Sequence, residues 1–245
     1  MLYINGQYYG LHFIREKINE HFVAANFNVP ADTVTLGRDN ASDVALYQQL
    51  EDFAESHDLP IKENYEQLAA MMNIDQYMDY IIAQICIGNT DNSNVRFFTA
   101  EGIPWHWILY DTDLGLFYTD YNAVAGHLNP DGTGAMTAVS TDIITALLKV
   151  PEFKEAFLHR LAWQLDTIWT PEVMHARINA MVAEIAPDMP KDLIRWNTSR
   201  QQWEHHLEHL RFYIDNRYEQ LIPQIQNFFD LTAQQMVGYG FRLED

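Results

Sequence analysis

The sequence predicts an α+β fold that is mostly helical and contains two β-hairpins. The first observation is the Asn5-Gly6 pair between two short β-rich runs, and the second is a similar pair of runs around Glu101-Gly102. The third is the apolar spacing of most of the remaining chain, which repeats with the period of an α-helix. The 245 residues show no internal repeat, low-complexity tract or linker, so we expect a single domain over 1–245.

The first hairpin is predicted from residues 2–14. Asn5-Gly6 is typical of a type I′ turn, which needs positive φ at both central residues. A lone hairpin is marginal in water, so these strands must pack against another element. The chain is predicted to turn helical over residues 15–22 and to form a loop over 24–41, with a short strand near Val34.

Capping residues and apolar stripes predict three helices in the middle of the chain. Ser42 is expected to cap the first. Asn73-Ile-Asp-Gln76 has the capping-box pattern and starts the third helix, which Gly88 ends. The apolar stripes of the three helices are, in order, Val44, Tyr47, Leu50 and Phe53; Tyr65, Leu68 and Met72; and Ile74, Tyr77, Met78, Ile81, Ile82 and Ile85.

The second half is predicted to be helical after one long loop. Residues 95–110 are predicted to form the second hairpin. Its aromatic residues alternate along the strands, which indicates that they pack in the core or beside a bound nucleotide. Residues 116–140 lack a period, and a loop of this length is usually functional or mobile. The remaining helices are expected to start at Thr141, Pro151, Thr170-Pro171 and Ser199 to Gln202. The last of these helices is expected to be interrupted near Pro223.

Charge and cysteine content narrow the possible functions. The chain has 34 acidic and 15 basic residues and a formal charge of −19. Nucleic-acid binding depends on Lys and Arg, so we expect no nucleic-acid partner. An acidic surface favours a cationic partner or serves solubility. No apolar run approaches the roughly 20 residues of a membrane span, so we expect none. The single cysteine, Cys86, lies in an apolar run and is expected to be a buried filler.

Two short acidic motifs are the candidate site. Residues 89–94 (Asn-Thr-Asp-Asn-Ser-Asn) follow the third helix, and residues 110–115 (Tyr-Asp-Thr-Asp-Leu-Gly) follow the second hairpin. We expect their side chains to converge, and carboxylate and amide oxygens suit Mg²⁺. Protein kinases place their catalytic and metal-binding groups in the same order. The alternative is that these residues only cap turns. The residues concerned are Asp91, Asn92, Asn94, Asp111 and Asp113.

A second polar cluster has a simpler interpretation. His205 and His209 lie one helical turn apart, which would suit two metal ligands. The His-Glu-x-x-His spacing of zinc hydrolases is absent, so a solvated helix face is preferred.

Taken in order, these segments resemble the CotH kinase family, which is named after a spore coat protein with an atypical protein-kinase-like fold. The resemblance covers nearly the whole chain. The matching segments are residues 3–18, Ile74-Asp-Gln-Tyr77, residues 88–94, residues 107–115, Ala146-Leu-Leu148, residues 153–157, Arg195-Trp196, Trp203, Arg217 and Phe228-Phe229. Family members often have a Trp-Pro insertion and paired asparagines after the catalytic aspartate, and this chain is shorter there.

The resemblance implies a role for each part of the chain. Residues 1–18 would be the end of an otherwise missing amino-terminal lobe with its hinge, and 19–245 the helical, protein-kinase-like carboxy-terminal lobe. Asp91 resembles the catalytic aspartate. Asn94 and Asp113 resemble the metal-binding residues, with Asp111 as an auxiliary ligand or support. Glu16 and Lys17, in the hinge, are candidate nucleotide-binding residues; for Glu16 a structural salt bridge is an equal alternative.

The resemblance also implies an activity. The full-length protein would transfer the γ-phosphoryl group of ATP to Ser or Thr of a protein substrate, using Mg²⁺. The substrate is expected to be basic and Ser-rich, and the location to be the cell envelope or otherwise extracytoplasmic. The family's glycine loop and nucleotide-binding lysine precede the first hairpin, so we expect this chain to be a fragment that is inactive alone. The alternative is a pseudokinase or scaffold in which a divalent cation, such as Ca²⁺, is structural.

Overall fold

The computed structural model describes residues 1–37, 41–91, 93–137 and 140–243. Helices account for 59% and strands for 9% of it, which confirms the mostly helical prediction. The described strands are β1 (Leu2–Ile4), β2 (Gln7–Gly10), β3 (Thr35–Leu36), β4 (Arg96–Ala100) and β5 (Ile103–Ile108). The described helices are α1 (Glu20–Phe27), α2 (Ala41–Ser56), α3 (Lys62–Met71), α4 (Ile74–Ile87), α5 (Ala123–Leu128), α6 (Asp142–Leu147), α7 (Pro151–Thr167), α8 (Pro171–Ile185), α9 (Met189–Arg195), α10 (Arg200–Phe229) and α11 (Ala233–Tyr239).

Strands β1 and β2 form the predicted first hairpin. Asn5 and Gly6 have φ angles of 51° and 78°, so both central residues of the turn are left-handed, as a type I′ turn requires. The hairpin packs on α9 through Asp192. One carboxylate oxygen of Asp192 accepts hydrogen bonds from the main-chain N–H of Leu11 at 2.7 Å and from the hydroxyl of Tyr8 at 3.1 Å. The hairpin is therefore supported by the helical part of the protein.

The segment after this hairpin differs from the prediction. Residues 11–18 have no regular structure, and the helix predicted over 15–22 begins only at Glu20. Asn19 sets this start, because its side-chain oxygen accepts a hydrogen bond from the N–H of Phe22 at 3.1 Å. The short strand predicted near Val34 is present as β3.

The second hairpin, β4 and β5, is extended by β3 into a three-stranded antiparallel sheet with the order β3-β4-β5. Its two faces are buried in different clusters. Phe97, Trp105 and Trp107 pack into the main core, whereas Phe98 and Leu36 pack against α1. The aromatic alternation in the sequence therefore reflects a sheet that is covered on both sides.

Helix α4 has the predicted ends, but only half of the predicted capping box. The side-chain oxygen of Asn73 accepts from the N–H of Gln76 at 3.1 Å, as expected. The Gln76 side chain does not return this bond. It pairs instead with the C=O and N–H of Trp107, at 2.7 Å and 2.8 Å. These main-chain groups lie on the edge of β5 that faces away from β4, and the Gln76 side chain supplies their hydrogen-bond partners.

The prediction of one long loop over residues 116–140 is wrong, because this segment contains α5 and a short 3-10 helix, Pro130–Gly132. Asn122 caps α5 by accepting from the N–H of Ala125 at 3.0 Å. Val124 and Leu128 of α5 are buried in the main core. A helix of less than two turns is too short to leave a period in the sequence.

Proline and capping signals located most of the remaining helix starts. Pro151 and Pro171 are the first residues of α7 and α8, and Thr170 caps α8. Ser199 caps α10 in a complete capping box. The predicted cap Ser42 lies inside α2, and its side chain is outside the described residues.

The predicted helix start at Thr141 is confirmed, whereas the break predicted near Pro223 is wrong. Thr141 precedes α6, but its hydroxyl donates to the C=O of Asn129 at 2.7 Å instead of capping the helix. Helix α10 is not interrupted at Pro223 and runs on to Phe229. Leu221 and Ile225, on either side of the proline, are fully buried, so core packing outweighs the lost main-chain hydrogen bond.

The main core surrounds α4, whose side chains are mostly buried. Helices α2, α5, α7 and α10 contribute apolar residues to it, together with one face of the three-stranded sheet. Cys86 lies in this core, as predicted, and is 3% exposed. Within the described ranges, no helix has the length and apolar character needed to cross a membrane.

Candidate functional site

The first acidic motif leaves the carboxyl end of α4 through Gly88. This residue has a φ of 59°, a conformation that favours glycine. A Cβ atom there would lie 2.6 Å from the hydroxyl oxygen of Tyr213 on α10. That hydroxyl donates to the C=O of Cys86 at 3.1 Å. Only glycine therefore lets the chain turn at this point under α10.

Asn94 joins the two acidic motifs. Its side-chain nitrogen lies 2.6 Å from Oδ2 of Asp111 and 3.2 Å from Oδ2 of Asp91. The hydroxyl of Ser93 donates to the other carboxylate oxygen of Asp91 at 2.8 Å. Asp91 is half-buried, whereas Asn94 and Asp111 are exposed. Two carboxylates that are distant in sequence thus face one amide at the surface.

Main-chain contacts hold the two motifs side by side. The hydroxyl of Thr90 donates to the C=O of Leu114 at 3.4 Å, and the N–H of Leu116 donates to the C=O of Ile87 at 2.6 Å. The side-chain oxygen of the buried Asn89 accepts from the N–H of Asp91 at 3.2 Å. The position of Asp91 is therefore set by the Asn89 side chain and by the contacts that hold its neighbours against residues 114–116.

Asp113 lies in a tight turn beside this cluster. The N–H of Gly115 donates to the C=O of Thr112 at 3.0 Å, which closes the turn around Asp113 and Leu114. Asp113 is exposed, and its carboxylate makes no hydrogen bond or ion pair with the described residues. The structure brings Asp91, Asn94 and Asp111 into contact, and it leaves the Asp113 carboxylate free.

The buried His127 contacts the main chain of the first motif. Its Nε2 atom lies 3.3 Å from the C=O of Asn89. Burial and the charge of Arg217 together lower the pKa of His127 to about 4, although the hydrogen bond to the Asn89 carbonyl opposes both effects. The imidazole is therefore neutral at pH 7 and donates through Nε2. Sequence reasoning missed this residue because it was assigned to a loop.

Arg217 ties the ends of both motifs to α10. Its guanidinium donates to the C=O groups of Thr119 and Tyr121 at 2.8 Å and 2.9 Å, and to the C=O of Ile85 at 3.0 Å. Burial lowers its pKa from the ordinary value. Arg217 was noted in the sequence only as part of a resemblance, and no local signal indicated these partners.

The structure does not place the candidate nucleotide-binding residues in this cluster. Glu16 and Lys17 are exposed in the irregular segment 11–18. In the part of the chain that the structure describes, neither makes a hydrogen bond or ion pair. Their role stays a prediction. Asn92 lies outside the described residues.

His205 of α10 is exposed, as the simpler interpretation predicted, whereas His209 is half-buried. His209 has a local partner, because its Nε2 lies 2.9 Å from the C=O of Phe117 and the two rings are 4.8 Å apart. This contact covers the chain that follows the second acidic motif.

The donor set at the junction of the two motifs suits a hard cation. It offers two carboxylates and one amide, all carrying oxygen atoms, which Mg²⁺ and Ca²⁺ prefer. To present its oxygen, the Asn94 amide must turn over, since its nitrogen now faces both carboxylates. Among the described residues, no group of three or more His, Cys, Asp or Glu side chains is arranged to hold a metal ion. Any cation held here therefore needs further ligands from elsewhere.

The fold and this site define a mostly helical α+β protein that carries an acidic, cation-type loop junction at the end of a central helix. Residues 1–221 of the 245 match the family described as CotH kinase protein. The chain belongs to the CotH kinase family. No curated protein and no solved structure is significantly similar to it.

Proposed function

We propose that this chain forms the catalytic and metal-binding part of a CotH-family protein kinase, which transfers the γ-phosphoryl group of ATP to Ser or Thr of a protein. The observation that carries the proposal is the contact of Asn94 with both Asp91 and Asp111. In this proposal, residues 1–18 are the end of the amino-terminal lobe and the hinge, and 19–245 are the carboxy-terminal lobe of a protein-kinase-like fold.

Asp91 orients the acceptor hydroxyl and takes its proton. Its carboxylate is held by Ser93 and Asn94, yet it is only half-buried, so an incoming hydroxyl can reach it. Positioning of this kind is the main contribution of a protein to phosphoryl transfer. The neutral His127 and the buried Asn89 keep the Asp91 backbone in place.

Asp113, Asn94 and Asp111 would hold Mg²⁺. The chemistry that Mg²⁺ supplies when bound is neutralisation of charge on the β- and γ-phosphates. Mg²⁺ sites commonly use one or two protein carboxylates and leave the other positions to phosphate and water, whereas Ca²⁺ takes about 6–8 oxygens. The small donor set of this chain supports Mg²⁺ with a nucleotide over a structural Ca²⁺ site.

The remaining parts of the proposal rest on the family and on charge. Glu16 and Lys17 lie on an exposed segment where a nucleotide can reach them. The net charge of −19 supports a basic protein substrate, and transfer to Ser or Thr would suit a Ser-rich one. The association of the family with the spore coat supports an envelope-related location.

The test is metal and nucleotide binding by matched aspartate variants. We expect the chain to bind Mn²⁺, as a paramagnetic substitute for Mg²⁺, more tightly in the presence of ATP. Asp113→Asn and Asp111→Asn should each weaken this binding about tenfold or more, because a ligand charge is lost. Asp120→Asn, which removes an exposed charge outside the cluster, is the control and should bind as the wild type does.

Phosphoryl transfer is the second measurement. In the full-length protein, Asp113→Asn should abolish ³²P transfer from ATP to a protein substrate while its circular dichroism spectrum is unchanged. Wild-type transfer rates from this variant would refute the assignment of Asp113. Absence of any thermal shift with Mg²⁺ and ATP would instead favour the scaffold alternative.

A further inference from the structure

A large cavity lies at the opposite end of α4 from the acidic motifs. It has a volume of about 720 Å³ and is bounded by α3, the start of α4, the start of α7 and Pro104 of β5. This volume is within the range of ligand pockets. Ile74 and Met78 line it, and α4 then runs on to Gly88, so the two regions are about 20 Å apart. The cavity is thus separate from the proposed catalytic site.

The inner wall of the cavity is apolar. Leu59, Met72, Met78, Val150 and Phe153 all line it, and each belongs to the buried main core. These residues come from four segments of the chain, so the shape of the wall is fixed by core packing. An apolar side chain of a ligand can therefore be buried there without a polar partner.

The mouth of the cavity carries an unpaired negative charge. Glu152 is exposed in the first turn of α7, and it has no hydrogen-bond or ion-pair partner among the described residues. The other charged groups at the mouth are compensated: Asp75 pairs with Arg160 at 3.1 Å, and Lys62 with Glu66 at 3.5 Å. Glu152 is the group left to bind a cation.

Tyr65 lines the cavity together with Glu152. It is half-buried, and its hydroxyl has no partner in the described part of the chain. Asp75 and Glu152 line the same cavity as Tyr65, and their charges add to the effect of burial in raising its pKa. An aromatic ring beside a carboxylate suits a guanidinium or ammonium group.

We propose that this cavity is a docking site for a basic peptide segment of a protein partner, in which an apolar side chain enters the cavity and a neighbouring Arg or Lys binds Glu152 beside Tyr65. Charge complementarity supports this partner, since the chain as a whole carries −19 and the free group at the mouth is an anion. The docking step needs no nucleotide and no metal, so it stands or falls independently of the proposed kinase activity.

The test uses three dipeptide probes and methyl NMR. The chain contains nine methionines, which can be labelled with ¹³C at the methyl group; Met72 and Met78 line the cavity, while Met136 and Met181 are exposed elsewhere. N-acetyl-Leu-Arg-amide should give saturable shifts at Met72 and Met78 in the low millimolar range and none at the other two. N-acetyl-Ser-Arg-amide and N-acetyl-Leu-Glu-amide should bind at least about fivefold more weakly.

Two pairs of variants separate the apolar and the charged contributions. Ala69 lines the cavity from α3, whereas its neighbour Ala70 lines a different groove. Ala69→Phe should fill the cavity and abolish the shifts, and Ala70→Phe should not. Glu152→Gln should weaken the Leu-Arg probe about fivefold, while Glu155→Gln, on the same exposed side of α7, should leave it unchanged.

Three results would overturn the proposal. One is the absence of saturable shifts at Met72 and Met78 with the Leu-Arg probe. Another is equal affinity for the Arg and Glu probes, which would show an apolar pocket without cation preference. The last is an unchanged affinity in Glu152→Gln or Ala69→Phe when both variants keep the wild-type unfolding temperature.

Discussion

At the scale of single residues, the surroundings of Asp91 decide the orientation of its side chain. Ser93 and Asn94 each donate to one of its carboxylate oxygens, and Asn89 accepts from its N–H. The sequence indicated Asp91 and Asn94 as candidates because carboxylates and amides cluster in one short motif. It could not indicate His127, since that support depends on a contact between residues 38 positions apart.

His127 makes the stability of the fold depend on pH. Burial lowers its pKa from 6.5 to about 4. Between these two pH values the imidazole is protonated in the unfolded chain but neutral in the folded chain. The contribution of His127 is complete above pH 6.5 and is lost as the pH falls towards 4. Between pH 7 and 4 this loss amounts to about 3 kcal/mol.

The corresponding variant is His127→Gln, which keeps a side-chain N–H donor but does not titrate. Urea unfolding at a series of pH values should show a smaller loss of unfolding free energy on acidification than in the wild type. His206→Gln, which removes an exposed histidine of α10, should follow the wild-type curve. Identical curves for His127→Gln and the wild type would show that His127 titrates normally.

At the scale of elements, α4 shows which helix ends can be predicted from a sequence. Asn73 and Gly88 mark its ends because a cap and a left-handed residue act within one helical turn. The hydrogen bonds of Gln76 to Trp107 could not be predicted, because the free edge of β5 exists only once the sheet has formed. Helix α5 was not predicted because it is only six residues long. Helix α10 continues through Pro223 because the residues on either side of the proline pack in the core.

Gly88 is the element boundary on which the candidate site depends. Gly88→Ala places a Cβ 2.6 Å from the Tyr213 hydroxyl in a left-handed conformation, so both strain and overlap oppose it. We expect a loss of about 2–4 kcal/mol in unfolding free energy, measured by urea denaturation.

Gly102→Ala is the matched control for Gly88→Ala. Gly102 also has a positive φ, of 73°, but no atom lies within 4 Å of the added Cβ. Its cost should be about 1 kcal/mol, from backbone strain alone. Equal losses in the two variants would mean that the contact with Tyr213 does not constrain the end of α4.

At the scale of the whole molecule, the candidate site is held together from α10. Arg217 reaches the end of α4 through Ile85 and the chain after the second acidic motif through Thr119 and Tyr121. These three carbonyls are brought together by a single buried side chain that lies 96 to 132 residues further along the chain. A cation bound to neutral carbonyls in this way connects three separate segments at once.

Arg217→Met should therefore be strongly destabilising. It keeps most of the apolar volume but removes three hydrogen bonds from a charged donor and leaves the C=O of Thr119 without a donor among the described residues, at a cost of about 3 kcal/mol or more. Arg211→Met, on the same helix, loses one hydrogen bond to the Asn179 side chain near the surface and should cost less than about 1 kcal/mol. Unfolding free energies from urea denaturation compare the two, and similar losses would contradict the role assigned to Arg217.

The sequence by itself determined the features that depend on a few neighbouring residues. The turn at Asn5-Gly6, the ends of α4 and the start of α10 follow from φ preferences and capping bonds, which act over one turn of chain. Only the tertiary structure decided that Asn94 meets Asp111, that His127 lies under Asn89 and that Gln76 binds β5. Each of these contacts joins segments that approach one another only when the core around α4 closes, and no local propensity encodes such a partner.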